Sequence, residues 1–281
     1  MTSIPLQIQN PKQHIAIRSM IGAPKGFSLI QLDLSGAEAW VVAYLADDPN
    51  MKYELHNGDM HSRTACSIFN IAFNPDDSKE IRYKNVDKKQ RYGGKKTNHS
   101  SNYMQGDGGL VEAINAEGVI SITYKDAKMF KEAWRSLYYM VPSWWEETRH
   151  ELTQSRTLTT AYGYSYTFMQ AWSDDLIRAA VAFRPQSTVA VHCYGKEQKD
   201  VNKKGGLLEI HRHFKKDKEI NIIQTAHDSC VLLAPSNVSL EVAAIARSYM
   251  LRPLMIKGEI FTIPVDVEIG EYFGELEKVK L

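Results

Sequence analysis

Two acids sit where apolar runs end. In "LIQLDLSGAEAWVVAYLADD" the run Leu29 to Leu32 leads straight into Asp33, and in "NIIQTAHDSCVLLAP" Asp228 separates two apolar runs. Read as strands, the first ends on Asp33 and the second pair turns at Asp228. Adjacent strands lie about 4.8 Å apart, so two such carboxylates can meet across a sheet. Together they would suit two hard divalent cations, which prefer oxygen ligands. Two metals a few ångström apart form the usual clamp for in-line phosphoryl or nucleotidyl transfer. Either acid alone more often serves as a strand-end cap or turn residue, so the pairing carries the argument. A second group repeats every four residues: Arg91, Lys95, His99 and Tyr103. On a helix each step of four drifts by only about 40°, so the four share a face. Two cations, an imidazole and a phenol on one face suit a bound polyphosphate with an aromatic ring beside it. A plain basic helix with a buried Tyr would show the same spacing.

These side chains need elements to place them. Residues 29–33 read as a buried strand, and "SGAEAWVVAYLADD" as the helix that follows. Ser35 suits its N-cap, with Glu38 three residues on completing a capping box. "GDMHSRTACSIFNIAF" is helical and closes at "NPDD". Residues 79–96 hold eight bases and two acids, a local excess of six positive charges. Residues 110–154 read as helical with a break at Pro142. "TLTTAYGYSYTF" reads as a hairpin. Residues 174–200 read as helical with Pro185 as an interruption. "EINIIQTAHDSCVLLAP" reads as two strands joined by a polar corner. Residues 238–256 read as helix, and "FTIPVDVEIGEYF" alternates like a last strand. Strands at both ends of a helical middle imply an α+β sheet layer with a helical insertion.

Composition sets limits. The 281 residues are 43% hydrophobic and 24% charged, with a net charge of +1. That is ordinary for a globular chain, and any pull on nucleic acid must be local. Cys66, Cys193 and Cys230 form no metal-ligand spacing, which fits reduced thiols in a cytosolic compartment. No run of about 18 apolar residues marks a membrane span.

Taken in order, these stretches resemble the DNA polymerase I family (family A). "LDLSGAEAWVVAYLADD…DMHSRTA" is similar to its first polymerase motif. "RYGGKKTNHSSNYM" is similar to its second, R-x-x-x-K-x-x-x-[FY]-x-x-x-Y-G, and "AHDS" to its third, usually H-D-E. "NPKQHIAIR", "RAAVAFRPQSTVAV" and "IPVDVEIGEYFGE" resemble supporting segments in the right order. The resemblance implies a polymerase palm whose antiparallel sheet carries the acids, at about 1–54 and 173–281, with a helical fingers insertion at about 55–172. It implies that Asp33 and Asp228, with the Leu34 carbonyl, hold two magnesium ions. Arg91, Lys95 and His61 would contact the triphosphate of a dNTP. His99 would sit at the sugar and Tyr103 beside the nascent base pair, and Glu38 would be a steric gate against a ribose 2′-OH. Gln13, Arg178, Gln186 and His227 would lie along primer–template DNA. The implied location is the cytoplasm of a bacterial or phage-infected cell.

Several positions depart from the pattern. His99 stands where the family has Phe or Tyr, Ser229 where it has Glu, Trp40 where it has Arg, Gly36 where it has Gln, and Met104 where it has Gly. Gly93 and Gly94 lie inside the expected helix, each costing about 1 kcal/mol relative to Ala. The pattern implies a divergent, phage-type branch. No thumb or exonuclease sequence precedes the palm segment, which leaves two expectations: half of a split enzyme with a thumb- or exonuclease-bearing partner chain, or a fragment of a longer, truncated enzyme. Two alternatives are a single-subunit RNA polymerase, which would carry a small residue at the Glu38 position, and a non-catalytic DNA-binding subunit, against which the intact Asp33, Asp228, Arg91 and Lys95 argue.

Overall fold

The computed structural model describes residues 18–198, 201 and 204–281. The described chain forms two compact units. One holds the residues up to Ala37 together with Ser187–Leu281, the other Glu38–Gln186.

Strand β1 (Phe27–Leu34) alternates, so Ser28, Ile30, Leu32 and Leu34 bury one face while Gln31 and Asp33 lie half-buried on the other. Helix α1 (Ala37–Ala46) follows after Gly36 in a positive-φ conformation. Ser35 therefore lies one residue outside the cap position. Its backbone N–H donates to the Pro264 carbonyl instead, and Glu38 is the second helical residue. The expected capping box does not form, because the left-handed turn at Gly36 takes its place.

The second unit is helical. It continues with α2 (Pro49–Asn57), α3 (Met60–Ile68), α4 (Lys79–Arg82), α5 (Lys88–Asn102), α6 (Asp107–Asn115), α7 (Tyr124–Leu137) and α8 (Met140–Ser155). Side-chain caps fix several starts. Asp48 accepts from Met51 N–H at the start of α2, and Asp87 with Gln90 forms a capping box on α5. Asp48 also accepts from Met140 N–H, tying α2 to α8. Burial pushes its carboxyl up, against the pull of these backbone donors. Ile68, Leu110, Ile114, Ile122, Ala127 and Phe130 form one apolar core of this unit. Pro142 does not break a helix. It occupies the first turn of α8, where a proline costs no hydrogen bond, and the break comes before it at 138–139.

The expected hairpin is β2 (Thr157–Thr159) paired with β3 (Ser165–Thr167). Helix α9 (Asp174–Tyr194) runs through Pro185 without interruption and ends at Tyr194, short of the expected 200. After α10 (Gly206–Phe214) come β4 (Asn221–Ala226) and β5 (Ser229–Pro235), then α11 (Ser239–Met250). The helix read over 238–256 stops at Met250. Its tail is a hairpin of β6 (Pro253–Ile256) and β7 (Glu259–Thr262), turned by Lys257 and Gly258, both at positive φ. That pair of left-handed residues matches the twist of the flanking strands. β8 (Val265–Gly270) and β9 (Glu277–Lys278) complete an antiparallel sheet in the order β4-β5-β1-β8-β9. The mixed architecture is the α+β arrangement expected from the sequence. None of the described helices is long and apolar enough to cross a membrane, and all three cysteines are free and buried.

Candidate active site

The sheet places the two acids. Asp33 lies near the end of β1, in register with Ser229 on β5 and Asp266 on β8. Asp228 immediately precedes Ser229, in the two-residue turn between β4 and β5. The turn is tight because His227 takes φ +48, an uncommon left-handed state for a residue with a side chain. The Ser229 hydroxyl donates back to Ala226 O at 3.0 Å. Leu34 N–H donates to Asp228 O at 3.1 Å, so the residue after Asp33 is tied to Asp228 itself. One thiol senses both acids: burial, then Asp228, then Asp33 push Cys193 up to about 12. Asp33 and Asp228 thus stand at the same end of neighbouring strands.

Asp266 and Glu268 were not singled out by sequence. Register puts them opposite Asp33 and Gln31 on the same sheet face. Asp266 is held by Lys278 Nζ at 2.8 Å. The period-2 alternation of "VDVEIG" was the available signal, since Val265 and Val267 bury the other face. Among the described residues no cluster of three or more His, Cys, Asp or Glu side chains is arranged to hold a metal. The donor set fits magnesium on other grounds. That ion is held through one or two carboxylates plus waters and phosphates rather than by an all-protein cage, and Asp33 and Asp228 are the pair that would supply them.

The second unit carries the basic face. Arg91, Lys95 and His99 are exposed along α5, and Tyr103 caps its C-terminal end. His99 and Tyr103 meet edge to face with centroids 5.9 Å apart. The adjoining side of α5 packs on α3, with Gly94, Thr97, Asn98 and Ser101 buried. A Cβ on Gly94 would lie 2.1 Å from His61 O, so only glycine permits this crossing. The two glycines that look like helix weaknesses are thus packing residues. Gly94→Ala is expected to destabilise the fold by about 1–3 kcal/mol through overpacking, despite the roughly 1 kcal/mol gain in helix propensity. Urea denaturation checks this, and an unchanged midpoint would contradict the close approach.

Arg91 does not stand alone. Its Nε and Nη2 donate to the two carboxylate oxygens of Asp59 at 2.7 and 3.2 Å. Asp59 is also the N-cap of α3, accepting from His61 N–H at 3.1 Å and from the Ser62 hydroxyl at 2.8 Å. Burial alone would raise its carboxyl, but Arg91, Ser62 and His61 outweigh that and hold it below the usual range. Lys95 makes no ion pair or hydrogen bond among the described residues. His61 lies in the field of Arg91, Lys95, His99 and Asp59. Burial, then the Arg91 charge, depress it to about 4, with Asp59 opposing. The Tyr103 hydroxyl donates to the Glu38 carboxylate. Burial and then Glu38 push its phenol well above the usual range.

The remaining expected residues lie on other elements. Arg178 pairs with Asp175 at 2.5 Å. Gln186 is exposed on α9 and His227 is exposed at the β4–β5 turn. Gln13, like the whole segment before residue 18, lies outside the described residues. A cavity of about 220 Å³ between α10 and β4, lined in part by Phe214, Ile220 and Leu232, contains none of the candidate residues.

The model of DNA polymerase family A matches residues 1–275. This chain belongs to DNA polymerase family A. Among its relatives, the thermostable DNA polymerase I of Thermus thermophilus is 26% identical over 277 residues, covering 92% of this chain and 29% of the relative. The DNA polymerase of Bacillus phage SP01 is 23% identical over 258 residues, covering 89% of this chain and 26% of the relative. The chain therefore spans less than a third of the length of these relatives. The fold agrees with the POL domain of Pol1 from M. smegmatis, solved in complex with DNA primer-template and dNTP, at a TM-score of 0.73 and 17% identity. That likeness covers 96% of this chain and 44% of the other.

In this family A chain the departures from the motifs are local. His99 keeps a ring against Tyr103 in place of Phe or Tyr. Trp40 joins an aromatic group, meeting His56 edge to face at 4.7 Å and stacking near Tyr44 at 6.5 Å. Met104, where the motif has Gly, adopts the positive φ that Gly would favour. Ser229 spends its hydroxyl on the turn carbonyl of Ala226 rather than offering a further carboxylate.

Proposed function

We propose that the chain carries the polymerase chemistry of a template-directed DNA polymerase, adding dNTPs to a primer 3′-OH on primer–template DNA. The observation that supports this is the placement of Asp33 and Asp228 at the same end of neighbouring strands, tied by the Leu34–Asp228 backbone bond. In this reading Asp33 and Asp228 hold two magnesium ions with the Leu34 carbonyl. The bound metals would supply the acidity of the primer 3′-OH and the charge neutralisation of the leaving pyrophosphate. The chain's own residues do the rest. Lys95 and the outer edge of the Arg91 guanidinium meet the triphosphate, with His61 as a neutral donor. The Asp59 pair holds the Arg91 fork in one orientation, which lowers the ordering cost of a phosphate contact. Glu38, braced by Tyr103, crowds the sugar 2′ position, with His99 beside the sugar. Gln13, Arg178, Gln186 and His227 contact primer and template.

The alternative within enzymes is an RNA polymerase. The presence of a braced carboxylate at Glu38, where a small side chain would admit a 2′-OH, supports deoxynucleotides instead. Primer extension with magnesium, a DNA primer–template and either dNTPs or rNTPs tests the proposal. Extension with dNTPs is expected; extension with rNTPs alone would replace this reading with the RNA polymerase one, and no extension would leave a binding subunit.

Lys95→Ala is expected to reduce incorporation efficiency roughly ten- to a hundredfold, the loss of one charge-assisted bond of about 1.5–3 kcal/mol. Duplex affinity should change little. Weakened DNA binding with unchanged nucleotide kinetics would move Lys95 to the duplex surface.

A further inference from the structure

Asn98 is 2% exposed and sits on the buried side of α5, seven residues after Arg91 and so next to it around the helix. It makes four hydrogen bonds. Its Oδ1 accepts from the Trp134 indole N–H at 2.9 Å and from the Thr64 hydroxyl at 2.7 Å. Its Nδ2 reaches Met60 O at 3.3 Å and His61 Nδ1 at 3.1 Å. Two of these partners have no choice of role. An indole N–H can only donate, and a backbone carbonyl can only accept. The amide of Asn98 is therefore fixed, oxygen toward Trp134 and nitrogen toward Met60. The same nitrogen then faces His61 Nδ1, which must accept. An imidazole that accepts at Nδ1 carries its proton at Nε2.

We infer that Asn98 is a positioning residue that holds His61 as a neutral imidazole donating only through Nε2, toward the nucleotide phosphate. The inference rests on the proposed function for the ligand, but the tautomer itself does not. The charged groups facing His61 are Asp59 from the start of α3 and Arg91, Lys95 and His99 from α5. Arg91, Lys95 and a protonated His99 oppose a charge on the ring; Asp59 favours one but is spent on Arg91. The crossing that makes the contact is fixed by Gly94, one turn before Asn98, which lets His61 O approach α5. The consequence is a phosphate donor whose strength does not vary across the range where an ordinary histidine titrates.

The test is imidazole ¹⁵N NMR on the intact 281-residue chain, with His61→Gln used only to assign the signal. Between about pH 5 and 8, His61 should show a protonated Nε2, a bare Nδ1 and no titration. A proton on Nδ1, or imidazolium forming within that window, would overturn the inference. Asn98→Asp supplies the functional readout. A carboxylate there has no donor for Nδ1, so His61 should take a proton at Nδ1 and titrate. The KM for dNTP should then fall by about tenfold toward low pH, as a neutral bond becomes charge-assisted, whereas the unmodified chain should be flat. A flat profile in Asn98→Asp with an unmoved tautomer would also overturn the inference. If Asn98→Asp does not fold, the tautomer in the unmodified chain decides alone. Failure of the proposed function looks different: the expected tautomer, with no change in the Nε2–H resonance on adding magnesium and dNTP.

Discussion

Asp33→Ala and Asp228→Ala are each expected to lower nucleotide incorporation by at least about 10³-fold. A metal clamp contributes several kcal/mol to a transition state, and about 4 kcal/mol corresponds to roughly three factors of ten. The two losses should not add, because either one dismantles the same clamp. Folding should survive. Asp33 is only half-buried on the open face of β1, and the strand is held by its ladder to β5 and β8. Asp228 contributes its backbone carbonyl to Leu34 N–H, which alanine retains. Removing either carboxylate should also release the Cys193 thiol from part of its upward push, since both acids act on it. Single-nucleotide primer extension, paired with urea denaturation of each variant, separates loss of chemistry from loss of fold. A variant that extends primers within about tenfold of the unmodified chain would remove that acid from the site.

The sequence made some of this legible for physical reasons. A buried strand announces itself as a short apolar run, so Asp33 at the end of one run and Asp228 between two others could be placed from the sequence. A helix announces its faces by spacing of four, so Arg91, Lys95 and His99 could be set on one side of α5. What stayed hidden depends on partners far away in the chain. Nothing local to Asp59 says that it will hold Arg91, 32 residues on. Asn98 looks like one polar residue among several in "KKTNHSSN", and only the buried indole of Trp134 gives its amide a direction. Gly93 and Gly94 read as defects because propensity counts only the helix they belong to, not the one they let in. The β6–β7 hairpin was missed for a related reason. Its strands are short, the first follows closely on α11, and the Lys257–Gly258 turn is one local sign of reversal. Pro253 gave a second sign, since a proline interior to a helix costs about 3 kcal/mol.

Glu38→Ala is expected to narrow the preference for dNTPs over rNTPs by about 10- to 200-fold, the range that the presence or absence of a small group in a fitted pocket commands. The argument starts from the Tyr103–Glu38 hydrogen bond. A glutamate near the start of a helix has several rotamers, and an unbraced one could swing aside for a 2′-OH. The Tyr103 hydroxyl removes that freedom. With its phenol pushed well up by burial and by Glu38, it remains a donor throughout the working pH range. Glu38→Gln should therefore keep most of the discrimination, because the amide oxygen can still accept from Tyr103 and the volume is nearly the same. Tyr103→Phe should fall between the two, keeping the carboxylate but releasing it. Glu38→Ala carries a second cost, since it leaves the half-buried Tyr103 hydroxyl without its acceptor, worth about 1 kcal/mol of stability. That cost would lower activity toward both nucleotide classes alike, so the ratio of kcat/KM for dNTP to rNTP isolates the gate. An unchanged ratio in Glu38→Ala would mean that Glu38 serves only to satisfy Tyr103. A ratio lost in Glu38→Gln as well would mean that charge, not bulk, excludes the ribose.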